Sequence, residues 1–317
     1  MSELNRGTVY GAGAYLLWGL LPLYWPLVAP PSGSMEILAH RMMWSLLAVL
    51  LILLARRHWR WMAGVLRSPR QLLLLAGAAM VISVNWGVFI FTVNAGHTLQ
   101  AALGYFINPL VSVALGVIVF SERLRRVQWA AVALGALAVV VLAFDYGAPP
   151  WMALAMAFSF AAYGLLKKFV KLDGLESLTI ETMVMFLPAL GFVVALEVMG
   201  TGTFGHVSVP HALLLVGSGL VTAVPLLLFG AAAFRIPLSM IGLLQFIAPV
   251  LQFLVAWLVF GEEMPVGRWI GFAVVWAALA LFAFDMVRNA RRGARLRAAA
   301  AGEPVTEEPP ELMAERG

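Results

Sequence analysis

The sequence predicts an all-α integral membrane protein in which ten transmembrane helices form two inverted five-helix repeats. Three observations carry that prediction. First, of 317 residues 62% are hydrophobic and only 12% charged, whereas a soluble domain carries about 25% charged residues. With a mean hydropathy of +0.92, too little polar surface exists to coat a water-exposed globule. Second, apolar runs of spanning length recur along the chain, and stretches such as Leu47 to Leu54 lack the alternation that barrel strands require. Third, the chain is duplicated, and each copy holds an odd number of spans.

Taken in order, hydrophobic windows place the first five spans at Thr8 to Val28, Met35 to Leu54, Gln71 to Phe91, Leu99 to Phe120 and Val127 to Phe144. The second five fall at Trp151 to Leu166, Leu178 to Val198, His211 to Phe229, Leu238 to Phe260 and Val266 to Phe284. The first run is too long for a signal peptide, contains Trp18 and Tyr24, and is followed by no small-residue cleavage site, so it is read as a retained span. Lysine and arginine then orient the chain, because cytoplasmic loops keep positive charge. Arg56, Arg57, Arg60, Arg67 and Arg70, then Arg123, Arg125 and Arg126, then Lys167, Lys168 and Lys171, then Arg235, and finally the tail from Arg288 to Arg297 all fall on one side. Only Arg41 and Arg268 escape this set. Both termini are therefore expected in the cytoplasm. From Glu303 to Gly317 the composition of Glu, Pro and Ala without apolar period predicts disorder.

The duplication is exact in spacing over its second part. Phe106, Ile107, Pro109, Phe120, Glu122, Trp129, Phe144 and Asp145 recur 140 residues later as Phe246, Ile247, Pro249, Phe260, Glu262, Trp269, Phe284 and Asp285. In the first two spans of each copy the offset is 145, so that Gly19, Leu20 and Glu36 match Gly164, Leu165 and Glu181. Residues 1–145 form the first unit, 146–285 the second, and 286–317 a basic and then disordered tail. Five spans per unit make the second copy enter from the opposite face, which is the architecture of alternating-access transporters.

Polar groups within spans are costly, about 2.5 to 3.5 kcal/mol for a central arginine on insertion scales, and need a reason. Glu36, His40 and Arg41 cluster at one end of span two, with Glu36 and His40 one turn apart. They suit an ionic substrate, an outer gate or a proton relay, or else an interface ion pair with Arg41 snorkelling outward. Glu181 is the counterpart of Glu36 and falls toward the other face, so the two carboxylates are candidate opposite gates. Pro109 and Pro249 sit mid-span and each removes a backbone hydrogen bond. Asn108, Tyr105 and Gln245 beside them mark a midplane binding centre, to which Asn85, Trp86 and Pro225 are added. The amides serve equally as interhelical glue. Trp18 and Tyr163 occupy equivalent positions as aromatic walls or as packing.

A stripe of Ala130, Ala131, Ala133, Gly135, Ala136 and Ala138 in span five fits close packing within the chain or a homodimer contact. His58, His97, His206 and His211 lack ligand spacing and no cysteine is present, so no metal site is expected. No cofactor is expected either. Although the net charge is +5, the basic residues suit orientation and lipid headgroups, and no nucleic-acid motif accompanies them. Neither a P-loop nor a nucleophile or zinc-hydrolase motif occurs, which argues against an ATP-driven pump or an enzyme. The expected partners are the lipid bilayer and a small-molecule substrate.

Several stretches resemble a known family. Glu36 to Arg41 with Trp44 and Ser45, Asn85-Trp86 with Phe89-Ile90, Leu103 to Leu110, Glu181 to Met183 with Leu187-Pro188, Val224 to Leu227, and Gln245 to Pro249 are similar, in order and spacing, to RarD-type proteins of the EamA branch of the drug/metabolite transporter superfamily. The resemblance covers residues 8–285. It implies ten helices in two units, a bacterial inner-membrane location, and secondary transport by export of small metabolites, with proton or solute exchange as the coupling. Gln100, Ala102, Pro26, Ser121, Phe246 and Val250 depart from the residues usual in that family.

Overall fold

The computed structural model describes residues 3–300 apart from 58, 122, 123, 171, 173 and 234. His58, Glu122, Arg123 and Lys171, and the tail from Glu303 whose disorder the composition predicts, lie outside the described residues. In chain order the helices are α1 (Glu3–Leu20), α2 (Trp25–Val28), α3 (Ser34–Arg56), α4 (Arg60–Leu66), α5 (Pro69–Asn94), α6 (Thr98–Phe120) and α7 (Arg126–Tyr146). They continue as α8 (Trp151–Phe169), α9 (Gly174–Val198), α10 (Val209–Ala233), α11 (Leu238–Leu244), α12 (Ile247–Leu254) and α13 (Val266–Ala300). A 3-10 turn, Leu21–Leu23, links α1 to α2, and a π-helical turn, Val255–Val259, extends α12.

Eight of these helices are long and apolar enough to cross a membrane: α3, α5, α6, α7, α8, α9, α10 and α13. The two remaining expected spans are broken, and proline explains both breaks. Pro22 and Pro26 interrupt the first segment, because each lacks the N–H that would bond to the carbonyl four residues earlier. The carbonyl that Pro22 orphans, Trp18 O, instead accepts from Gln252 Nε2 at 3.3 Å. In the ninth segment the ring of Pro249 opposes the carbonyl of Gln245, and α11 ends at Leu244 while α12 begins at Ile247. Its repeat counterpart behaves differently, since α6 runs through Pro109 without interruption, as α10 does through Pro225.

Packing between the two halves is reciprocal. Helix α1 lies along α10 as α8 lies along α5, and α12 packs on α1 as α6 packs on α8. The pairs α3 with α9, α6 with α12, and α7 with α13 each join a helix to its own repeat counterpart. The faces turned away from the bundle are apolar, with Ile118 75% and Phe144 84% exposed, while Asn85, Ser45 and Ser218 are fully buried. Apolar outside and polar inside is the distribution of a chain solvated by lipid.

The pair α7 and α13 is fastened at both ends. Arg125 Nε donates to Asp285 Oδ2 at 3.0 Å where the basic loops gather. At the opposite end Arg268 Nε donates to Asp145 Oδ2 at 3.1 Å, with its guanidinium 4.4 Å from the centre of the Tyr146 ring. Asp145 and Asp285 are the repeat pair seen in the sequence, and Arg268 was one of the two exceptions to the charge pattern. Between the clamps Ala131 and Ala138 are buried, and Gly135 lies against Leu110 of α6, so one edge of the span-five stripe is used inside the chain. Gly271 meets Leu142 so closely that a Cβ there would lie 2.4 Å from its Cγ. Gly271→Leu should therefore lower stability by about 1–3 kcal/mol, read as an earlier unfolding midpoint in a detergent–SDS titration. An unchanged midpoint would mean that α7 and α13 do not meet as described.

Candidate functional site

At the end away from the basic loops, Glu36 in the first turn of α3 is 5% exposed and accepts from the Thr203 backbone N–H at 2.7 Å and from its hydroxyl at 2.9 Å. Thr203 belongs to the segment between α9 and α10, where Gly200 and Gly205 hold positive φ. The next residue, Phe204, stacks on His40 with ring centres 4.8 Å apart and leans on Trp44 at 5.9 Å. Ser32 completes the contact, its hydroxyl lying 2.5 Å from Thr203 Oγ1 and 2.8 Å from His211 Nε2. Glu36 and His40 thus grip the same loop, as their one-turn spacing allows. His211, one of the histidines without ligand spacing, is part of this contact, and no spacing rule selects it.

Arg41 does not join them. The interface ion pair with outward snorkelling is not formed, because Arg41 is 2% exposed and turned into the bundle. Its Nε donates to Thr222 Oγ1 of α10 at 2.8 Å, and its guanidinium lies 4.0 Å from the centre of the Trp86 ring and 5.2 Å from that of Trp25. Five positions separate Arg41 from Glu36 on the helix, about 140° of rotation, so the two side chains leave α3 in different directions.

At the basic end the counterpart carboxylate has other partners. Glu181 is 3% exposed and accepts from Lys167 Nζ at 3.0 Å, Ser177 Oγ at 2.6 Å and Tyr163 Oη at 3.1 Å. Lys167 had been read as an orientation marker; its position one turn after Tyr163 on α8 also makes it the counter-ion of Glu181. Helices α8 and α9 are joined by this pair of a buried carboxylate and a half-buried ammonium, whereas Glu36 ties α3 to a loop.

Between the two ends lies an aromatic middle. Asn85 of α5 is fully buried, donating from Nδ2 to Met156 O at 2.9 Å and Ser159 Oγ at 3.0 Å while Oδ1 accepts from Tyr105 Oη at 3.1 Å. Every polar atom of Asn85 is used within the protein, which is the glue role. The rings of Tyr105, Phe160 and Tyr163 follow one another at 5.9 and 6.1 Å, and Trp86, Tyr105 and Tyr163 each remain only half-buried. Asn108 is buried, its Oδ1 3.4 Å from Ser112 Oγ. Gln245 stands half-buried at the break before Pro249, and Pro225 is buried within α10. Trp18 packs on Tyr15 and Phe229 at 5.3 and 5.8 Å, on the side of α1 that meets α10. The structure therefore brings Trp18, Trp86 and Tyr105 against one apolar cluster, ties Asn85 to Tyr105 and Arg41 to Trp86, and continues through Phe160 to Tyr163, while Gln245 stands at the break between α11 and α12.

A cleft of about 360 Å³ opens at the end away from the basic loops, between His97, Gln100, Tyr146, Glu262 and Arg268. Glu262 there caps α6, accepting from the backbone N–H of Thr98 and, at 3.0 Å, of Leu99. Burial pushes its carboxyl up from the usual range, against the pull of those amides.

The buried pair at the basic end makes a clear test. Lys167→Met leaves Glu181 without its counter-ion and should cost about 3–5 kcal/mol, while adding Glu181→Gln should recover most of that loss. Thermal unfolding in detergent measures both, and equal midpoints for the single and double variants would show that the pair is not coupled.

The comparisons with known proteins agree with this architecture. Residues 5–144 match the EamA-like transporter family. The chain is 59% identical to Protein RarD of Streptomyces exfoliatus over 300 residues, covering 94% of this chain and 95% of that one. It is 39% identical to Protein RarD of Escherichia coli over 92% of this chain and 98% of that one. A Bacillus subtilis relative described as "Uncharacterized transporter YojE" is 40% identical over 90% of this chain and 96% of its own. One solved structure, 18% identical with a TM-score of 0.58, covers 89% of this chain and 98% of its own and shares the fold. A lipid-solvated helical bundle, matched over nearly its full length by RarD proteins and relatives described as transporters, belongs to the EamA family of multi-pass membrane transporters as a RarD-type member.

Proposed function

We propose that the protein is a ten-span secondary transporter of a small solute, built from inverted units 1–145 and 146–285, which exposes one central site alternately to the two faces. The broken segments of α1–α2 and α11–α12 complete the ten spans. The observation that carries this reading is the pair of repeat-related carboxylates. Glu36 and Glu181 are both buried, each holds a contact at its own end of the bundle, and the half-buried aromatic middle lies between them. The reciprocal packing of the halves supports exchange of their conformations about a fixed centre. Charge in the loops supports placing the basic end in the cytoplasm of a bacterial inner membrane. Export, with a proton or a second solute as coupling partner, follows the family resemblance. Catalysis forms no part of this reading, as the relatives are described as transporters.

Purified protein in liposomes loaded with a bacterial metabolite extract tests the proposal, with release followed by mass spectrometry under an imposed pH gradient and without one. At least one compound class should leave faster than from protein-free vesicles, and Glu36→Gln with Glu181→Gln should lower that release at least tenfold. Absence of release by helical, monodisperse protein under either condition, with counter-solute supplied outside, would sink the reading. Tyr105→Ala and Asn108→Ala should each weaken release several-fold while the folded yield stays constant. Parallel loss of yield and release would instead make both residues packing elements.

A further inference from the structure

We infer that Arg41 is the anchor for an anionic group on the transported solute, a small organic acid whose apolar, flat body lies against Trp86 and Tyr105. This rests on the transport reading and names the substrate class for it. Arg41 sits mid-bundle at 2% exposure, and among the described residues no carboxylate lies within ion-pair distance of it. The half-buried arginine and lysine of the described bundle each have one: Asp145 for Arg268 and Glu181 for Lys167. Glu36, the nearest carboxylate along α3, is committed to Thr203.

The contacts that Arg41 does make leave its binding edge free. The Trp86 and Trp25 rings lie 4.0 and 5.2 Å from the guanidinium carbon, and an indole ring supplies cation–π attraction but no oxygen acceptor for the N–H groups. Nε is taken by Thr222, while Nη1 is buried with no hydrogen-bond partner. A guanidinium held by its Nε between two indoles, with Nη1 unpartnered, has donors left for a carboxylate or another planar oxyanion. Tyr105 packs against the same apolar cluster as Trp86. Since its hydroxyl is bound to Asn85, what it offers a solute is its ring. Rings of Phe89 and Phe160, at 5.7 and 5.9 Å from it, extend that wall. Charge and shape together select an acid with an unsaturated or aromatic body over an amine, whose charge would meet that of Arg41 with no counter-ion beside it.

The probe is a defined mixture of small aromatic carboxylates with their matching carboxamides and amines, loaded into liposomes containing the full chain. Carboxylates should leave at least tenfold faster than their carboxamides, and amines should stay. Arg41→Met should abolish the carboxylate preference, and Arg41→Lys should retain part of it. If Arg41→Met fails to fold, Thr222→Ala, which frees Nε and leaves the charge in place, should lower carboxylate release several-fold without raising amine release. Equal release of carboxylates and carboxamides, preference for amines, release of none of the mixture, or a carboxylate preference unchanged by Arg41→Met or Thr222→Ala would overturn the assignment. The metabolite-extract experiment decides the transport reading separately: release there of neutral or cationic compounds, unaffected by Arg41→Met, leaves that reading standing while this one falls.

Discussion

In the hydrocarbon region no water is at hand to satisfy a backbone or side-chain polar group, and most of the internal geometry follows from that constraint. Each interruption of a helix has to be made good by another part of the protein. Pro22 orphans the carbonyl of Trp18, and Gln252 from α12 supplies a donor, which fixes α1 against the second half of the molecule. Hydroxyls in the spans turn back on their own helices, as Ser83, Thr92 and Thr182 do on the carbonyls four residues earlier. Asn85 spends both ends of its amide and thereby joins α5, α6 and α8. Such groups act as fasteners because an unmade bond in this medium costs several kcal/mol.

Against that background the places where satisfaction is incomplete stand out. Among the nine buried side-chain atoms of the described residues that lack a partner are Nη1 of Arg41 and Nε2 of His40. Both belong to α3, within one and a half turns of Glu36. Helix α3 is thus the element on which the loop closure, the aromatic middle and the buried cation converge. Its contacts with α9 and α10 bring the two halves together at the same place. Close approach makes this possible: a Cβ at Gly219 of α10 would lie 2.4 Å from the carbonyl carbon of Trp44.

The two ends are alike in ancestry and unlike in chemistry. Glu36 is held by hydrogen bonds from a loop that glycines allow to turn, whereas Glu181 is held by an ammonium on a neighbouring helix. The two contacts differ in what their separation exposes, a carboxylate and neutral donors at the Glu36 end and two opposite charges at the Glu181 end. By contrast α7 and α13 are locked by the same Arg–Asp pairing at both ends, each clamp using the repeat aspartate. That symmetric pair is suited to a scaffold, with the asymmetric contacts confined to the helices that line the middle.

Much of the fold was legible in the sequence, because hydropathy and charge record the solvent each segment meets. The spanning runs, the side on which basic loops gather, the repeat that pairs Glu36 with Glu181 and Asp145 with Asp285, and the aromatic and amide character of the middle all follow from local composition and spacing. What only the tertiary structure decided is which side chain faces which. Glu36, His40 and Arg41 read as one cluster, yet the rotation of α3 sends the first two to Thr203 and Phe204 of a loop distant in sequence and the third to Trp86 and Thr222. Lys167 read as a topology marker and His211 as a span end, and each acquired its partner from elements distant in the chain. Pro109 and Pro249 occupy the same repeat position, and one helix breaks while the other continues, since the surrounding packing determines whether a missing hydrogen bond becomes a break. Periodicity determines the face of a helix from its own residues; the identity of the group opposite depends on contacts between segments far apart, which no local pattern encodes.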